Sequence, residues 1–582
     1  MPKHIHRRPR LASLVLALAA IPSLVAGCSP PSEPVIHNNE WDAFVEQFME
    51  DHFAAHPVFA VQAGRHEFDG QLPDWSAQGI AAEIERLEGA LVQANAFAKE
   101  SLSEQQIYQR EYLTSEIDDV VFWHRDARWP FRNPQYYFGW LLDSFSPSPY
   151  ITLTYAPIDE RMRAFTRYLQ AVPEAVDQAR ENLETPMPRT WIDYGVASFG
   201  GMAQYFTDDV PLIWESVEDA SLQAEFAKAN AVAAEAMASM AEYLESLRST
   251  QTEDFGMGPD LFAKMLYATE RVDIPLDQLE AIGRADLERN QAALATACEE
   301  FASGESIRDC FARMAGRKPK GSPVEAATKQ LGELKSFMQE QDLVTIPGTE
   351  EARVAEAPPY ARSNSAYINI PGPYEQGQPS TYYISPPDPS WPEEVQRAYI
   401  PGESDLLFTS VHEVWPGHFL NFLHANRAEW VFGRAFVGYA FGEGWAHYTE
   451  EMMVEAGLRG ADAETRIGQI SNALLRNARY LSAIGLHTQG WTVEQSQAFF
   501  QEQAYQDEGT ARQQAARGTY DPAYLNYNMG KLMILKLRED WTASRGGRDA
   551  WKQFHDTVLS YGGPPIPLVR GRMMNEQPRA VL

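Results

Sequence analysis

Residues 404–418 read SDLLFTSVHEVWPGH, an apolar helical stretch that runs into two histidines with a glutamate between them. In a regular helix, two histidines four residues apart differ by about 40° and can share one zinc ion. His412 and His418 are six residues apart, so an uninterrupted helix would separate them by about 120°. Proline removes a backbone donor, and glycine accepts unusual dihedral angles. We therefore predict that the helix is interrupted at Pro416 and Gly417, which lets both histidines reach one ion.

The segment GEGWAHYTEEM, residues 442–452, predicts a second helix that supplies the third ligand. Two histidines and one carboxylate are a common ligand set in zinc peptidases, so we assign the third position to Glu443. His447 is the alternative ligand on the same helix. Glu450 shares a helix face with both residues and is placed to orient a ligating histidine; the alternative is a solvated surface charge.

Glu413, next to His412, is the candidate general base. A zinc ion held by three protein ligands keeps a position for water and lowers the pKa of that water towards about 7. A carboxylate beside the ion accepts the proton as the water attacks a carbonyl carbon. The sequence therefore predicts one Zn²⁺ per chain in a hydrolytic site, with a purely structural metal as the alternative.

The first residues have the pattern of an export signal. Residues 1–27 start with basic side chains, continue with an apolar run too short to span a bilayer, and end in small residues directly before Cys28. This ending resembles the lipobox of bacterial lipoproteins, which implies that Cys28 is lipidated; a plain signal peptide with an incidental cysteine is the alternative. Residues 28–40 would form a tether. By the same resemblance, Ser29 implies a cell-envelope protein that is lipid-anchored in the outer membrane, faces the periplasm and has no other membrane contact.

Composition indicates a large globular protein. The chain has 582 residues, of which 44% are hydrophobic and 22% charged, and these values exclude disordered, collagen-like and multi-span membrane proteins. Its formal charge of -31 disfavours nucleic acid as a partner, because binding a polyanion needs a basic surface. Cys298 and Cys310 are close in sequence, so we expect an exported protein to join them in a disulfide.

Helical periodicity dominates the chain and predicts a mainly α fold. Apolar residues recur at helical spacing through residues 41–317, including an alanine-rich stretch at 221–247 whose methionines are expected in the core. The segment 316–323, with lysines, glycine and prolines, marks a boundary. We therefore predict an N-terminal helical lobe at 41–317 and a catalytic helical lobe at 318–582. Between about 355 and 401, prolines and short β-type runs predict a small antiparallel sheet within the second lobe.

Several separated blocks resemble the bacterial family called domain of unknown function 885. That family combines a His-Glu-x-x-Pro-Gly-His motif with a later Glu-Gly-Trp-Ala-x-Tyr motif, which correspond here to residues 412–418 and 443–448. Further blocks at 56–76, 476–491 and 521–538 extend the resemblance over most of the mature chain. The resemblance implies the same metal site but brings no function with it, because the family has none assigned.

The motifs also resemble those of helical two-lobed metallopeptidases such as thimet oligopeptidase and angiotensin-converting enzyme. This wider resemblance implies a deep cleft between the lobes, with the small sheet beside it and one strand that pairs with the substrate backbone. It also implies that residues near the C-terminal end of the chain donate hydrogen bonds to the oxyanion. We add arginines that hold a substrate carboxylate. For each of these residues the alternative is a structural role. The residues assigned to these roles are Thr381–Ser385 with Tyr382 and Tyr383 for the strand, Tyr527 and His487 as oxyanion donors, and Arg476 and Arg479 for the carboxylate.

These observations predict a zinc-dependent hydrolase that cleaves peptide bonds of short peptides in the cell envelope, because a narrow cleft would exclude folded proteins. One alternative is a zinc amidase that acts on cell-wall peptides. Another is a non-catalytic lipoprotein that binds peptides and holds a structural metal. The sequence leaves open whether cleavage is internal or terminal, which side chains are preferred, and the oligomeric state.

Overall fold

The computed structural model describes residues 37–139, 143–358, 362, 365–387 and 389–582. Cys28, the signal peptide and most of the predicted tether lie outside these residues. The described chain is mainly α-helical with one small sheet, which confirms the predicted fold class. None of the described helices has both the length and the apolar character that are needed to cross a bilayer.

The described chain alternates long helices with short connections. In chain order, its α-helices are α1 (Asn39–Ala55), α2 (Pro57–Ala63), α3 (Ala77–Ala96), α4 (Glu104–Val121), α5 (Trp129–Arg132), α6 (Ser148–Thr152), α7 (Ile158–Asn182), α8 (Arg189–Asp208), α9 (Val210–Ile213), α10 (Ala220–Ser246), α11 (Pro259–Glu270), α12 (Leu276–Phe301), α13 (Ile307–Gly316), α14 (Pro323–Glu340), α15 (Glu393–Tyr399), α16 (Glu403–Glu413), α17 (His418–Ala425), α18 (Val431–Ala435), α19 (Tyr439–Glu455), α20 (Ala463–Thr488), α21 (Val493–Gln503), α22 (Glu508–Tyr520), α23 (Asn526–Thr542), α24 (Trp551–Ser560) and α25 (Ile566–Met574).

The predicted alanine-rich core helix is α10. It begins after Asp219, whose side chain accepts hydrogen bonds from the backbone amides of Ser221 and Leu222. Its apolar stripe packs against α7 and α8, and Met237 and Met240 on that stripe are completely buried. The methionines therefore fill the core, as the periodicity predicts.

The small sheet is mixed rather than antiparallel. Its strands are β1 (Ala352–Glu356), β2 (Ala366–Asn369) and β3 (Ser380–Ile384), in the spatial order β1-β3-β2. β2 is antiparallel to β3, as predicted, but β1 is parallel to β3. The prediction was wrong on this point because β1, with the sequence ARVAE, has little of the β-branched and aromatic composition that marks a strand.

The position of β3 excludes the predicted pairing of this strand with a substrate backbone. Both edges of β3 form hydrogen-bonded ladders, with β1 on one side and β2 on the other, so neither edge can accept a further strand. Within β3, Tyr382 is completely buried, and Tyr383 stacks on Tyr367 with ring centres 5.1 Å apart. Both tyrosines therefore pack inside the protein rather than along a bound peptide.

The predicted lobe boundary falls in the turn between α13 and α14. The largest cluster of buried apolar residues contains side chains from both sides of this turn, from Val61 to Val569. The two predicted lobes therefore share one core, and the division at residue 317 stays a prediction. Next to the turn, Cys298 of α12 and Cys310 of α13 form the predicted disulfide, with Cα atoms 5.8 Å apart.

α19 and α23 approach each other closely in the C-terminal half of the chain. A Cβ atom at Gly444 on α19 would lie 2.5 Å from the Cα atom of Gly530 on α23, and one at Gly530 would lie 1.9 Å from the carbonyl oxygen of Ala440. Such an approach of two backbones requires glycine. The contact brings Glu443, which precedes Gly444, into the same region as Tyr527, which lies about one turn before Gly530.

Candidate metal centre

The helix that carries the first histidine ends where the sequence predicts. α16 ends one residue after His412, α17 begins at His418, and the residues between the two helices are not helical. The Gly417 backbone lies so close to α16 that a Cβ atom there would meet the His412 carbonyl oxygen at 1.8 Å. The Trp445 indole on α19 donates to the Pro416 carbonyl oxygen at 2.9 Å. The turn between the histidines is therefore packed against both α16 and α19.

The two histidines meet the predicted carboxylate. The Oε2 atom of Glu443 lies 3.2 Å from the Nε2 atom of His412 and 3.2 Å from the Nε2 atom of His418. One donor atom from each of the three side chains lies within 4.8 Å of the other two. The side chains of His418 and Glu443 are 15% and 21% exposed, so solvent reaches the group from one side.

The three side chains are electrostatically coupled. Burial lowers the pKa of His412, but hydrogen bonds to Glu443 and Glu450 outweigh burial and raise this pKa to about 9. Burial also opposes the charge of Glu443, yet the neighbouring charge of His418 and the hydrogen bonds with both histidines hold the pKa of Glu443 well below its usual range. Glu443 is therefore ionised, and a cation that binds here displaces the proton from Nε2 of His412.

Glu450 orients His412 from the side opposite the donor atom. Its Oε1 atom lies 2.8 Å from the Nδ1 atom of His412, whose Nε2 atom faces Glu443. Glu450 is completely buried and also lies 3.4 Å from Nδ1 of His447 and 3.7 Å from a guanidinium nitrogen of Arg476. Burial opposes its charge, but these cationic and hydrogen-bonding neighbours hold the pKa of Glu450 well below its usual value. A carboxylate in this position fixes the tautomer and ring orientation of a ligating histidine.

Glu413 is the last residue of α16 and lies beside the group without belonging to it. Its side chain is half-buried, and no described residue forms a hydrogen bond or an ion pair with it. Burial and the nearby charge of Glu413 raise the pKa of Tyr382 in β3, which places the Glu413 carboxylate near the sheet. The carboxylate is therefore available to accept a proton from a nearby water.

Tyr527 lies against the metal-binding group and beneath three arginines. Its ring stacks on that of His412, with ring centres 6.3 Å apart and planes at 17°. The guanidinium carbon of Arg479 lies 4.7 Å from the centre of the Tyr527 ring, and those of Arg476 and Arg517 each lie 5.8 Å from it. Burial raises the pKa of Tyr527, so its hydroxyl is protonated and can donate a hydrogen bond. No feature of the sequence had singled out Arg517, because it lies on α22, far along the chain from the motifs.

His487 lies in a different environment from the one predicted for it. Its Nε2 atom donates to the Gly518 carbonyl oxygen at 2.7 Å, and its ring stacks on Phe262. Burial lowers the pKa of His487 to about 4, so the ring is neutral. These contacts are those of a core histidine and do not bring it to His412, so the structure gives no support to His487 as an oxyanion donor.

A second group of potential ligands, His52, His56 and Glu83, was not identified from the sequence. The Nδ1 atom of His56 lies 2.6 Å from a carboxylate oxygen of Asp143, and its Nε2 atom lies 2.8 Å from Oε1 of Glu83. Arg86 donates to both carboxylate oxygens of Glu83. Because both nitrogens of His56 are occupied and Arg86 repels a further cation, this group is a buried ion network rather than a metal site.

The donor set of His412, His418 and Glu443 fits zinc. Two imidazole nitrogens and one carboxylate oxygen match the ligand preference of zinc in catalytic sites, where a fourth position is left for water. The hydrogen bond that Nδ1 of His412 donates to Glu450 supplies the outer contact that a ligating histidine normally has. The partial exposure of His418 and Glu443 leaves access for a small molecule.

Comparison with known proteins supports the fold and assigns no activity. No curated protein is significantly similar to the chain. The solved structure of a putative lipoprotein of unknown function from Shewanella oneidensis is 22% identical, with a TM-score of 0.75 over 92% of this chain and 99% of that one. The structure of a putative lipoprotein from Colwellia psychrerythraea is 17% identical, with a TM-score of 0.76 over 92% of this chain and 98% of that one. The profile of the bacterial family of unknown function DUF885 matches residues 57–573, and the chain therefore belongs to the DUF885 family.

Proposed function

We propose that this protein is a zinc-dependent peptidase that hydrolyses short peptides. The observation that carries the proposal is the convergence of two imidazoles and one carboxylate within 4.8 Å of one another, next in sequence to Glu413, whose carboxylate pairs with none of the described residues. Structural zinc sites are usually closed by four protein ligands, whereas the described residues supply three here, and two of these are partly exposed. A glutamate beside such a group has no task in a structural site but is required for hydrolysis.

The residues of the site divide the chemical work. His412, His418 and Glu443 would hold the zinc, which when bound polarises a carbonyl group and lowers the pKa of water. Glu413 takes a proton from the attacking water and passes it to the leaving amine. Tyr527 donates its hydroxyl proton in a hydrogen bond to the oxyanion that develops on the carbonyl oxygen.

We place this activity in the cell envelope. The support is the lipobox that ends at Cys28, which provides a lipid anchor after export. The two solved relatives are both described as putative lipoproteins. Ser29, directly after the lipidated cysteine, favours the outer membrane, so the substrates are short peptides of the periplasm.

Substitution of Glu413 by Gln tests the mechanism. Purified mature protein should contain about one zinc per chain and cleave a mixture of short peptides, as measured by elemental analysis and product mass spectrometry. Glu413→Gln should retain the zinc, because it removes no ligand, and should lower kcat by about 100- to 10,000-fold, because it removes the general base.

Glu403→Gln is the matched control, since Glu403 is an exposed glutamate at the other end of α16. It should cleave at the rate of the wild type. Equal cleavage by the wild type and Glu413→Gln would refute the mechanism, and native protein without a transition metal would refute the metal site. If chelation of the zinc unfolds the protein, the site is structural.

A further inference from the structure

A buried cation close to the candidate metal centre forms no ion pair with any carboxylate that the structure describes. Arg479 is 7% exposed, and its Nε atom donates to the neutral side chain of Gln514 at 2.7 Å. No ion pair joins it to any described residue. Burial and the neighbouring charge of Arg517 lower the pKa of Arg479 to about 10, so the guanidinium still carries its charge at neutral pH. An unpaired buried charge is costly, which indicates that Arg479 is held ready for an anion that arrives with a ligand.

The neighbouring arginines do not share this property. Arg476 lies 3.7 Å from the buried carboxylate of Glu450, and Arg517 lies 2.8 Å from the carboxylate of Asp521. Their charges are therefore balanced within the protein. Of the three arginines around the Tyr527 ring, Arg479 alone forms no ion pair with the described residues.

The distance from Arg479 to the metal centre limits what can lie between them. The centre of the Tyr527 ring is 6.3 Å from the centre of the His412 ring and 4.7 Å from the guanidinium carbon of Arg479. The His412 ring and the Arg479 guanidinium are therefore at most about 11 Å apart, a distance that about three extended residues span. A peptide whose cleaved bond lies at the metal centre would therefore place the first, second or third residue after that bond beside Arg479.

We infer that Arg479 binds the C-terminal carboxylate of the substrate, and that the enzyme removes one to three residues from the carboxyl end of short peptides. This inference rests on the proposed function. A carboxylate matches the planar guanidinium fork with two parallel hydrogen bonds, which a neutral carboxamide cannot do. The reaction is a hydrolysis: the hydroxyl of water bonds to the carbonyl carbon, the C–N bond breaks, and the released amine takes a proton.

The test compares peptides that differ only in the terminal charge. N-acetylated hexapeptides of mixed sequence are prepared as free acids and as C-terminal amides, and the zinc-loaded full-length protein is given both sets. We expect kcat/KM for the acids to exceed that for the amides by about 100-fold, because removal of one partner of a buried charge pair has an effect of this size. Mass spectrometry should show products that lack one to three C-terminal residues.

Arg479→Gln should lower kcat/KM for the acids by about 100-fold and so remove the preference for the acids over the amides. Arg479→Lys keeps the positive charge but loses the planar guanidinium, so it should retain part of the preference for acids over amides. If Arg479→Gln does not fold, Arg479→Lys takes its place in the test. Arg466→Gln is the matched control, because Arg466 lies on the same helix, α20, and pairs with Glu300. It should behave as the wild type.

Equal cleavage of acids and amides, cleavage far from the carboxyl end, or an unchanged preference in Arg479→Gln would overturn the inference while the peptidase stands. If the wild type cleaves neither set, the proposed function fails together with the proposed removal of C-terminal residues, and binding then decides whether Arg479 recognises a terminal carboxylate. Calorimetric titration of the two peptide sets into Glu413→Gln should then show tighter binding of the acids that disappears in the double variant with Arg479→Gln. Equal binding of acids and amides would overturn the inference in that case too.

Discussion

Glu443 and His447 stand one turn apart on the same face of α19, and the sequence offered both as ligands. Glu443 lies 3.2 Å from the donor nitrogens of His412 and His418, whereas His447 lies 3.4 Å from Glu450. One turn of helix advances the chain by about 5.4 Å, so only one of the two side chains can be level with the ion. Burial lowers the pKa of His447 to about 4, so it faces Glu450 as a neutral ring.

Glu450→Gln tests the role of the residue that orients His412. The neutral amide is a poorer acceptor and no longer stabilises the ligating tautomer, so we expect zinc affinity to fall by about 10- to 100-fold. Competition with a chelator measures this affinity. Glu451→Gln is the control, because the neighbouring carboxylate of Glu451 binds Arg289 and Lys531 instead of a motif histidine. It should lower the thermal midpoint and leave zinc affinity unchanged; an equal loss of affinity in both variants would contradict the specific role of Glu450.

The residues of the metal centre could be predicted because their relations are local. His412, His418 and the turn between them lie within seven consecutive residues, and Glu443 and Glu450 share one helix face. The surroundings of Tyr527 could not be predicted in the same way. The arginines around its ring come from two different helices, and no spacing rule relates positions that meet only through tertiary packing.

Among the elements, the turn between α16 and α17 positions His418 beside His412 and Glu443 in the candidate metal centre. Gly417→Ala would place a methyl group 1.8 Å from the His412 carbonyl oxygen, so the turn must move and carry His418 away from Glu443. A misplacement of about 1 Å in a reacting group lowers rates by about 100-fold, and we expect a loss of this size in peptide cleavage together with weaker zinc binding.

The matched variant is Gly442→Ala on α19, next to Glu443. A Cβ atom there has the Val437 Cγ1 atom as its nearest neighbour at 3.4 Å, which is an ordinary contact. This variant should bind zinc and cleave peptides at close to the wild-type level. If Gly417→Ala also does so, the close approach of the turn to α16 is not what positions the histidines.

The small sheet shows where element prediction fails. Strand composition and alternation are local signals, and they located β2 and β3 correctly. The order of the strands is not a local property, because the weakly marked β1 enters on the free side of β3 and turns a presumed edge strand into a central one. For this reason β3 cannot pair with a substrate, although the sequence located the strand itself to within one residue.

At the scale of the whole molecule, the N-terminal helices are joined to the half of the chain that carries the His-Glu motif by buried contacts. Phe432 and Phe436, which follow the metal motif, share an apolar cluster with Trp41 and Phe48 of α1. Tyr112 of α4 donates to the Phe436 carbonyl oxygen at 2.6 Å. The segment after the metal motif is therefore supported by the N-terminal helices, a relation that helical periodicity in either half does not predict.

The buried ion network at His56 makes this support depend on pH. Burial lowers the pKa of His56, but the charges of Asp143 and Glu83 and the hydrogen bonds with them outweigh burial and raise it from 6.5 to about 9. The neighbouring His52 does not share the proton, because burial and the charge of His56 hold the pKa of His52 well below its usual value. A pKa that is higher in the folded chain than in the unfolded chain stabilises the fold while His56 is protonated.

A pKa shift of this size adds about 3 kcal/mol to the free energy of unfolding. The full amount is present below pH 6.5, and it is lost as the pH rises through about 9. His56→Gln removes the titrating group and leaves the lysines and tyrosines of the chain to titrate as before. The wild type should therefore have the higher urea midpoint at pH 6, measured by tryptophan fluorescence, and the difference between the two proteins should shrink steadily up to pH 10. A difference that stays constant over this range would mean that His56 is neutral in the folded protein and that Asp143 and Glu83 are held by Arg86 and backbone amides alone.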